Sequence, residues 1–176
     1  SPDWPVRLPG TPAVTPSIGD IDNDGDKDIV VSSTTILYAF DLKGQLKEGW
    51  PVNNSDTKFS FQSPILTDLN GDQNLEIIGA THGNSPEYYI LNQDGTPYSD
   101  WPFFVPNREW TFSTPTVVEI NGIQQIFMSR PNRAGDKDML YSWNETGDLL
   151  EEFPITKEGG LEGIISVADI DNDGAM

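Results

Sequence analysis

The sequence predicts an all-β fold of four-stranded antiparallel blades of the β-propeller type, about three and a half of them. Three observations carry that expectation. A Trp-Pro or Phe-Pro pair recurs at Trp4-Pro5, Trp50-Pro51, Trp101-Pro102 and Phe153-Pro154, in steps of 46, 51 and 52 residues. Acidic turn segments begin at Asp20, Asp68, Glu119 and Asp169, in steps of 48, 51 and 50. The 16 glycines and 14 prolines are spread at intervals that leave few gaps long enough for a helix and many long enough for a strand. Two independent markers on one period indicate repeated structural units.

The units span 4–50, 51–101, 102–153 and an incomplete 154–176, and the order within them is constant. A short apolar run ends in an acid, as in Ser63-Pro64-Ile65-Leu66-Thr67-Asp68 and Thr114-Pro115-Thr116-Val117-Val118-Glu119. After the acidic turn comes a β-branched run, Ile29-Val30-Val31 or Ile77-Ile78-Gly79. A third, alternating aromatic run follows: Ile36-Leu37-Tyr38-Ala39-Phe40, Tyr88-Tyr89-Ile90-Leu91, Met139-Leu140-Tyr141-Ser142-Trp143. A turn ending at Gly44, Gly95 or Gly147 then leads to the Trp-Pro segment, expected to form the outermost strand, where proline's missing N–H is tolerated. The competing reading is a β-sandwich, but sandwich strands do not repeat loop chemistry at a fixed period. Three complete units are fewer than the four to eight blades that close a propeller, so the remaining blades are expected from a longer chain or a second chain.

Bulk composition narrows the function classes. The chain has 176 residues, 28 acidic against 10 basic, and a formal charge of −18. That field repels phosphate backbones and anionic membrane surfaces, so no nucleic acid partner is expected. No apolar run reaches the length of a membrane helix, and membrane insertion is not expected. With no cysteine, disulfides, thiolate metal sites and a cysteine nucleophile are all excluded. Packing so much negative charge into one domain calls for bound cations.

The segment from Asp20 to Asp28 is where such a cation is expected. Asp20, Asp22, Asp24 and Asp28 hold positions 1, 3, 5 and 9 of a nine-residue loop, and Gly25 at position 6 allows a sharp reversal. Asp26 at position 7 can offer its backbone carbonyl. Hard oxygen ligands in this number suit Ca2+ better than Mg2+, which keeps a tight octahedron and its waters. Without a cation, carboxylates about 4 Å apart repel by up to about 4 kcal/mol per pair at an effective dielectric near 20, so a bare loop is expected to splay. A helical calcium hand needs glutamate at position 12, where this loop has Val31, inside a predicted strand. The alternative is a solvated turn held by side-chain-to-backbone bonds.

The second loop keeps oxygen-bearing Asp68, Asn70, Asp72 and Glu76 at positions 1, 3, 5 and 9, one charge fewer than the first loop has there, with Asn74 at position 7 and Gln73 in place of the glycine, so it is expected to bind more weakly. In the fourth unit Asp169, Asp171 and Asp173 match, without a ninth position. The third unit has Glu119-Ile120-Asn121-Gly122-Ile123-Gln124, in which Asn-Gly between apolar flanks signals a two-residue hairpin and no metal. If one blade closes its hairpin by turn chemistry alone, the ion in the others is structural rather than catalytic.

The pattern Asp-x-Asp-x-Asp-Gly-x-x-Asp, set between a strand after Ser/Thr-Pro and a β-branched strand, resembles the FG-GAP/VCBS class of calcium-binding repeats. These occur in integrin alpha-chain propellers and in secreted bacterial proteins, and the Trp-Pro ending looks more like the bacterial forms. The resemblance covers essentially the whole chain; it is strong at Asp20–Asp28, partial at Asp68–Glu76 and lost at Glu119–Gln124. It implies a seven- or eight-bladed propeller of which this chain is a fragment, Ca2+ in the loop joining the first and second strands, and an extracellular or cell-surface setting.

Fold alone leaves function open. The leading reading is a non-catalytic module for adhesion or recognition of a protein or carbohydrate ligand, or for scaffolding. Its candidate contact residues are Phe59-Ser60-Phe61 and Arg108-Glu109-Trp110-Thr111-Phe112, with packing between blades as the competing role for these aromatics. The alternative is part of a calcium-dependent polysaccharide-lyase-like enzyme. It would draw on His82, the single histidine, and on Arg108, Arg130 and Arg133; but His82 lies in the polar stretch His82-Gly83-Asn84-Ser85 and is expected on a solvent-facing loop.

Overall fold

The computed structural model describes residues 4–10, 14–54, 57–59, 61–105, 113–129, 138–157, 160–161 and 163–171. Among them there is no helix. Each complete repeat folds as one four-stranded antiparallel sheet, the unit expected from the sequence. The first sheet has the order β1 (Ser17–Gly19), β2 (Asp28–Ser33), β3 (Ile36–Asp41), β4 (Val52–Asn53). The second runs β6 (Ile65–Thr67), β7 (Glu76–Ala80), β9 (Glu87–Leu91), β10 (Phe103–Phe104), and the third β11 (Thr116–Ile120), β12 (Ile123–Ser129), β13 (Asp138–Trp143), β14 (Ile155–Thr156). A short ribbon, β5 (Thr57–Lys58) with β8 (His82–Gly83), joins the segment after β4 to the end of β7. None of the sheets closes on itself.

Neighbouring strands in each sheet are also neighbours in sequence apart from the β8 excursion, as alternating runs separated by tight turns require. The Trp-Pro and Phe-Pro pairs immediately precede β4, β10 and β14, the outermost strands, each only two residues long. The peptide bond is cis at all four pairs.

Strand alternation sends successive side chains to opposite faces, and the sheets use both. From the first sheet Val30, Leu37 and Ala39 meet Ile77, Tyr89 and Leu91 of the second, with Ile21, Trp50 and Phe59 completing that layer. The other face of the second sheet, Ile78, Ala80, Tyr88 and Ile90, meets Ile126, Met128, Tyr141 and Trp143 of the third. On the far side of the first sheet, Val31, Tyr38 and Phe40 are covered by Val6 and Leu8. The sheets therefore stack face to face in chain order, each buried Ile, Leu, Val or Phe contributing about 1.5–3 kcal/mol.

Two polar contacts repeat between consecutive sheets. The indole N–H of each Trp-Pro pair donates to the carbonyl two residues before the turn glycine of the following sheet: Trp4 to Leu42 at 2.9 Å, Trp50 to Gln93 at 2.8 Å, Trp101 to Glu145 at 3.4 Å. At the opposite edge, the Ser17 hydroxyl donates to the Pro64 carbonyl, and Thr116 to that of Ile165 at 2.7 Å. Thr116 and Ile165 hold in their repeats the places of Ser17 and Pro64, so the start of the fourth repeat lies against β11 as β6 lies against β1.

Trp50→Phe keeps a ring in the layer and removes the N–H. It is expected to lower stability in urea denaturation by about 1 kcal/mol, whereas Trp50→Ala costs about 3–5 kcal/mol.

Candidate metal centre

The first acidic loop links β1 to β2 and closes at the pair Gly19↔Asp28. Its path needs two residues of positive φ, Asn23 at 55° and Gly25 at 93°. Asp20 at its start caps the turn: one carboxylate oxygen accepts the Asp24 N–H and the other the Gly25 N–H, both at 3.0 Å. Asp24 accepts the Asp26 N–H at 2.8 Å. At the far end Asp28 reaches back to accept the buried Ile21 N–H at 3.1 Å. The loop thus folds its own acids inward, and carboxylate oxygens of Asp20, Asp22 and Asp28 come within 4.8 Å of one another.

Asp28 anchors this group. Its side chain is 1% exposed, and burial pushes its carboxyl up, offset in part by the Ile21 N–H and by an ammonium, with the charge of Asp22 adding to the rise. The ammonium belongs to Lys47, nineteen residues further on. Its Nζ lies 2.7 Å from Asp22 Oδ2, 3.1 Å from Asp28 Oδ1 and 3.3 Å from Asp24 Oδ2. Desolvation acts to lower the Lys47 pKa, but the carboxylates around it outweigh that and hold it above its ordinary value. Even so, Asp22 Oδ1 and Asp28 Oδ1 have no hydrogen-bond partner; Lys47 is close to Asp28 without hydrogen-bond alignment. A single ammonium leaves the buried oxygens under-satisfied, and a cation that binds several oxygens at once fits this donor set.

Of the residues expected as ligands, the structure brings Asp20, Asp22 and Asp28 together and places Asp24 at their rim, more exposed and tied to Lys47. The Asp26 side chain is exposed, consistent with a role for its carbonyl alone. Lys47 did not figure in the sequence reading. It brings one positive charge of the chain's own to the group.

The second loop, between β6 and β7, repeats this construction with different residues. Glu76 is buried and accepts the Leu69 N–H at 2.8 Å, as Asp28 does for Ile21. Asp68 accepts the N–H groups of Gly71, Asp72 and Gln73 at 2.7, 3.2 and 2.9 Å, and Asp72 that of Asn74 at 2.8 Å. Asn70 accepts the Asp72 N–H at 2.9 Å and donates to the Asp72 carboxylate at 3.1 Å. Gln73 takes the positive φ, 76°, that Gly25 takes in the first loop, so the missing glycine changes the cost of the turn and not its shape. Burial pushes the Glu76 carboxyl up; the Leu69 N–H offsets part of this, and the charges of Asp72 and Asp68 add to it.

The third repeat closes with no acidic loop at all. β11 and β12 are joined by Asn121 and Gly122 at φ 53° and 77°, with Ile120 directly paired to Ile123, the two-residue hairpin expected from Asn-Gly. In the fourth repeat Asp169 is half-buried and Asp171 exposed. Asp173 lies outside the described residues.

The aromatic segments behave differently from one another. Phe59 is buried between the first two sheets, edge-on to Tyr89 at 5.3 Å, so it is a packing residue and not a contact residue. Phe61 is 43% exposed and lies 4.4 Å from the His82 ring. His82 itself corrects the sequence reading: it is 8% exposed and sits in β8, because Lys58 pairs across from it. Ser60, Arg108–Phe112, Arg130 and Arg133 lie outside the described residues.

No protein-family model matches the chain, and no curated protein matches it. Among solved structures, the biofilm matrix protein Bap1 of V. cholerae is similar at 18% identity and a TM-score of 0.35. The match covers 77% of this chain, which spans 27% of the length of that one. A likeness at this level leaves fold and function to be argued from the chain itself.

In excess chelator, Asp28→Ala strands the buried Ile21 N–H and is expected to cost about 1–3 kcal/mol in denaturant titrations, while Asp26→Ala stays within about 0.5 kcal/mol of wild type. Gln73→Gly removes the left-handed strain of a side-chain-bearing residue. A net gain of about 0.5–1 kcal/mol is expected after the extra freedom of glycine in the unfolded chain.

Proposed function

We propose that this chain is a calcium-binding β-propeller repeat module of a secreted or cell-surface protein. In this reading calcium is structural and the module serves adhesion, ligand recognition or scaffolding without catalysing a reaction. The observation that carries the reading is the convergence of Asp20, Asp22 and Asp28 oxygens around a buried carboxylate whose Oδ1 lacks a hydrogen bond. The second loop supports it by reproducing the same internal bonding from a different sequence.

In the first loop, side-chain oxygens of Asp20, Asp22, Asp24 and Asp28 with the Asp26 carbonyl would hold the ion. In the second, Asp68, Asn70, Asp72 and Glu76 with the Asn74 carbonyl would do so. What calcium supplies there is charge: two positive units against acids that the protein turns inward. Because the third sheet joins its first two strands through Asn121-Gly122 alone, the ion acts as a clamp on a hairpin and not as a reactant.

The propeller reading is supported by four-stranded sheets stacked face to face in chain order, with β1 beside β6 and β11 beside the segment at Ile165. An acidic surface and modest-affinity loops suit the millimolar calcium found outside cells, where extracellular modules bind with dissociation constants of about 10⁻⁴–10⁻³ M. Phe61 and Phe104, both exposed, are candidate contacts for a protein or carbohydrate ligand. The lyase alternative draws no support from His82, whose ring is buried against Phe61.

Calorimetric titration with CaCl2 tests this reading. Binding heat is expected together with a rise in melting temperature, equivalent to about 2.7 kcal/mol when calcium is at a hundred times its dissociation constant. Asp24→Ala is expected to reduce both. No heat and an unmoved melting temperature in millimolar calcium would remove the metal from the account.

A further inference from the structure

After its third strand each sheet makes the same turn, and the residue three past the turn glycine is Lys47, Tyr98 or Leu150. The three are structurally equivalent: their N–H groups donate to Ala39, Ile90 and Ser142 at 3.0, 3.0 and 2.9 Å, and all three side chains are half-buried. Each side chain reaches back to the connection between the first two strands of its own sheet. Lys47 puts its ammonium among Asp22, Asp24 and Asp28. Tyr98 brings its phenol near Asn70, Glu76 and Asp72. Leu150 lines a mainly apolar cleft with Ile120 and Gln125 beside the Asn121-Gly122 hairpin.

The residue at this place follows the charge beneath it. The first loop carries five aspartates and is met by a cation; the second carries three acids and is met by a neutral phenol; the third connection is met by an alkyl chain. Among the described residues the ion pairs of the acidic loops all belong to Lys47, which is 15% exposed and offers no equivalent to the second loop.

We propose that Lys47 is a tethered cation that calcium must displace from the first loop, so that the Asp68–Glu76 loop fills first although it carries fewer charges. This rests on the calcium reading and reverses the order of affinity expected from the sequence. Asp22 Oδ2, Asp24 Oδ2 and Asp28 Oδ1 cannot hold the ammonium at 2.7–3.3 Å and also surround a metal ion, so the two cations compete for the same oxygens. Competition of this kind multiplies the intrinsic affinity by the fraction of loops that the ammonium leaves free. Asp28, nine-tenths or more buried with Oδ1 lacking a hydrogen bond, keeps the exchange open: the ammonium holds the loop without satisfying it. Tyr98 has no charge to evict.

The test is calorimetric titration with CaCl2 of the wild-type chain, Lys47→Met, Lys47→Gln and Lys47→Arg, each also carrying Asp68→Ala or Asp20→Ala so that the loops are read singly. In the wild type, the site removed by Asp68→Ala should be the tighter. Lys47→Met and Lys47→Gln should tighten the site that depends on Asp20 by about tenfold or more and leave the other within about twofold, while Lys47→Arg keeps the wild-type order. Two neutral variants and one charged one, checked by circular dichroism, keep the comparison valid if any single variant fails to fold. Unchanged or weaker calcium binding at the first loop in both neutral variants overturns the proposal and leaves the calcium reading standing. No calcium uptake by any of the proteins overturns both.

Discussion

A carboxylate buried at the first residue of the second strand is the constraint around which each acidic loop is built. Asp28 and Glu76 occupy the same place in their sheets, and each turns back to bond the N–H of the residue after the loop's first acid, Ile21 or Leu69. A carboxylate out of water is costly unless it is hydrogen-bonded and neutralised. The first requirement goes with the loop's path: both loops reach that N–H through two residues of positive φ, and in the first loop Asp20 and Asp22 come together with Asp28. The second requirement is electrostatic, and the path that meets the first makes it more severe by gathering further carboxylates. The proposed role of the site rests on that conflict, since acids gathered by a closed loop are stabilised by positive charge.

The same fold tolerates a connection with no such conflict. In the third sheet the partner strands are held at Ile120↔Ile123 by a two-residue turn, and among the described residues of that sheet no charged side chain is buried. What the three sheets share lies elsewhere, in the face-to-face layers of Ile, Val, Leu and aromatic side chains and in the indole bonds that tie each Trp-Pro pair to the following turn. The loops are therefore additions to a stack that is already cohesive. This separates two contributions to stability, apolar burial between sheets and charge balance within loops, which respond to different variables: temperature and denaturant for the first, cation identity for the second.

Much of this was legible in the sequence, for a physical reason. Strand periodicity, turn glycines and the Asn-Gly pair are local signals, and the repeat multiplies them, so the four-strand order of each unit and the hairpin at Asn121-Gly122 could be read directly. The grouping of Asp20, Asp22 and Asp28 was legible for the same reason, these being residues of one turn. What escaped the reading depends on contacts across sequence. Lys47 reaches the loop only because β3 and its turn fold back beside it. The Trp50 and Gln93 pair is 43 residues apart and belongs to two different sheets. The polar neighbours of His82 predict a loop residue; it is buried because β5 pairs with the segment that carries it. Gln73 shows the limit of residue preference: glycine is favoured at a positive φ, but a well-bonded turn can hold another residue there.

The position after the turn glycine links these two levels. It is set by the repeat, since the backbone bond of Lys47, Tyr98 and Leu150 to the third strand is the same in every sheet, and it is free to vary because that bond uses no side-chain atom. A scaffold with such a position can tune the charge of the loop beneath it without moving a strand. Counting ligands in a loop is then an incomplete guide to its affinity for an ion, because each ligand's availability depends on what already contacts it. The loop richest in acids is here the one whose acids are already engaged by an ammonium, and under the calcium reading proposed above the poorer loop would be the first to take a cation from solution.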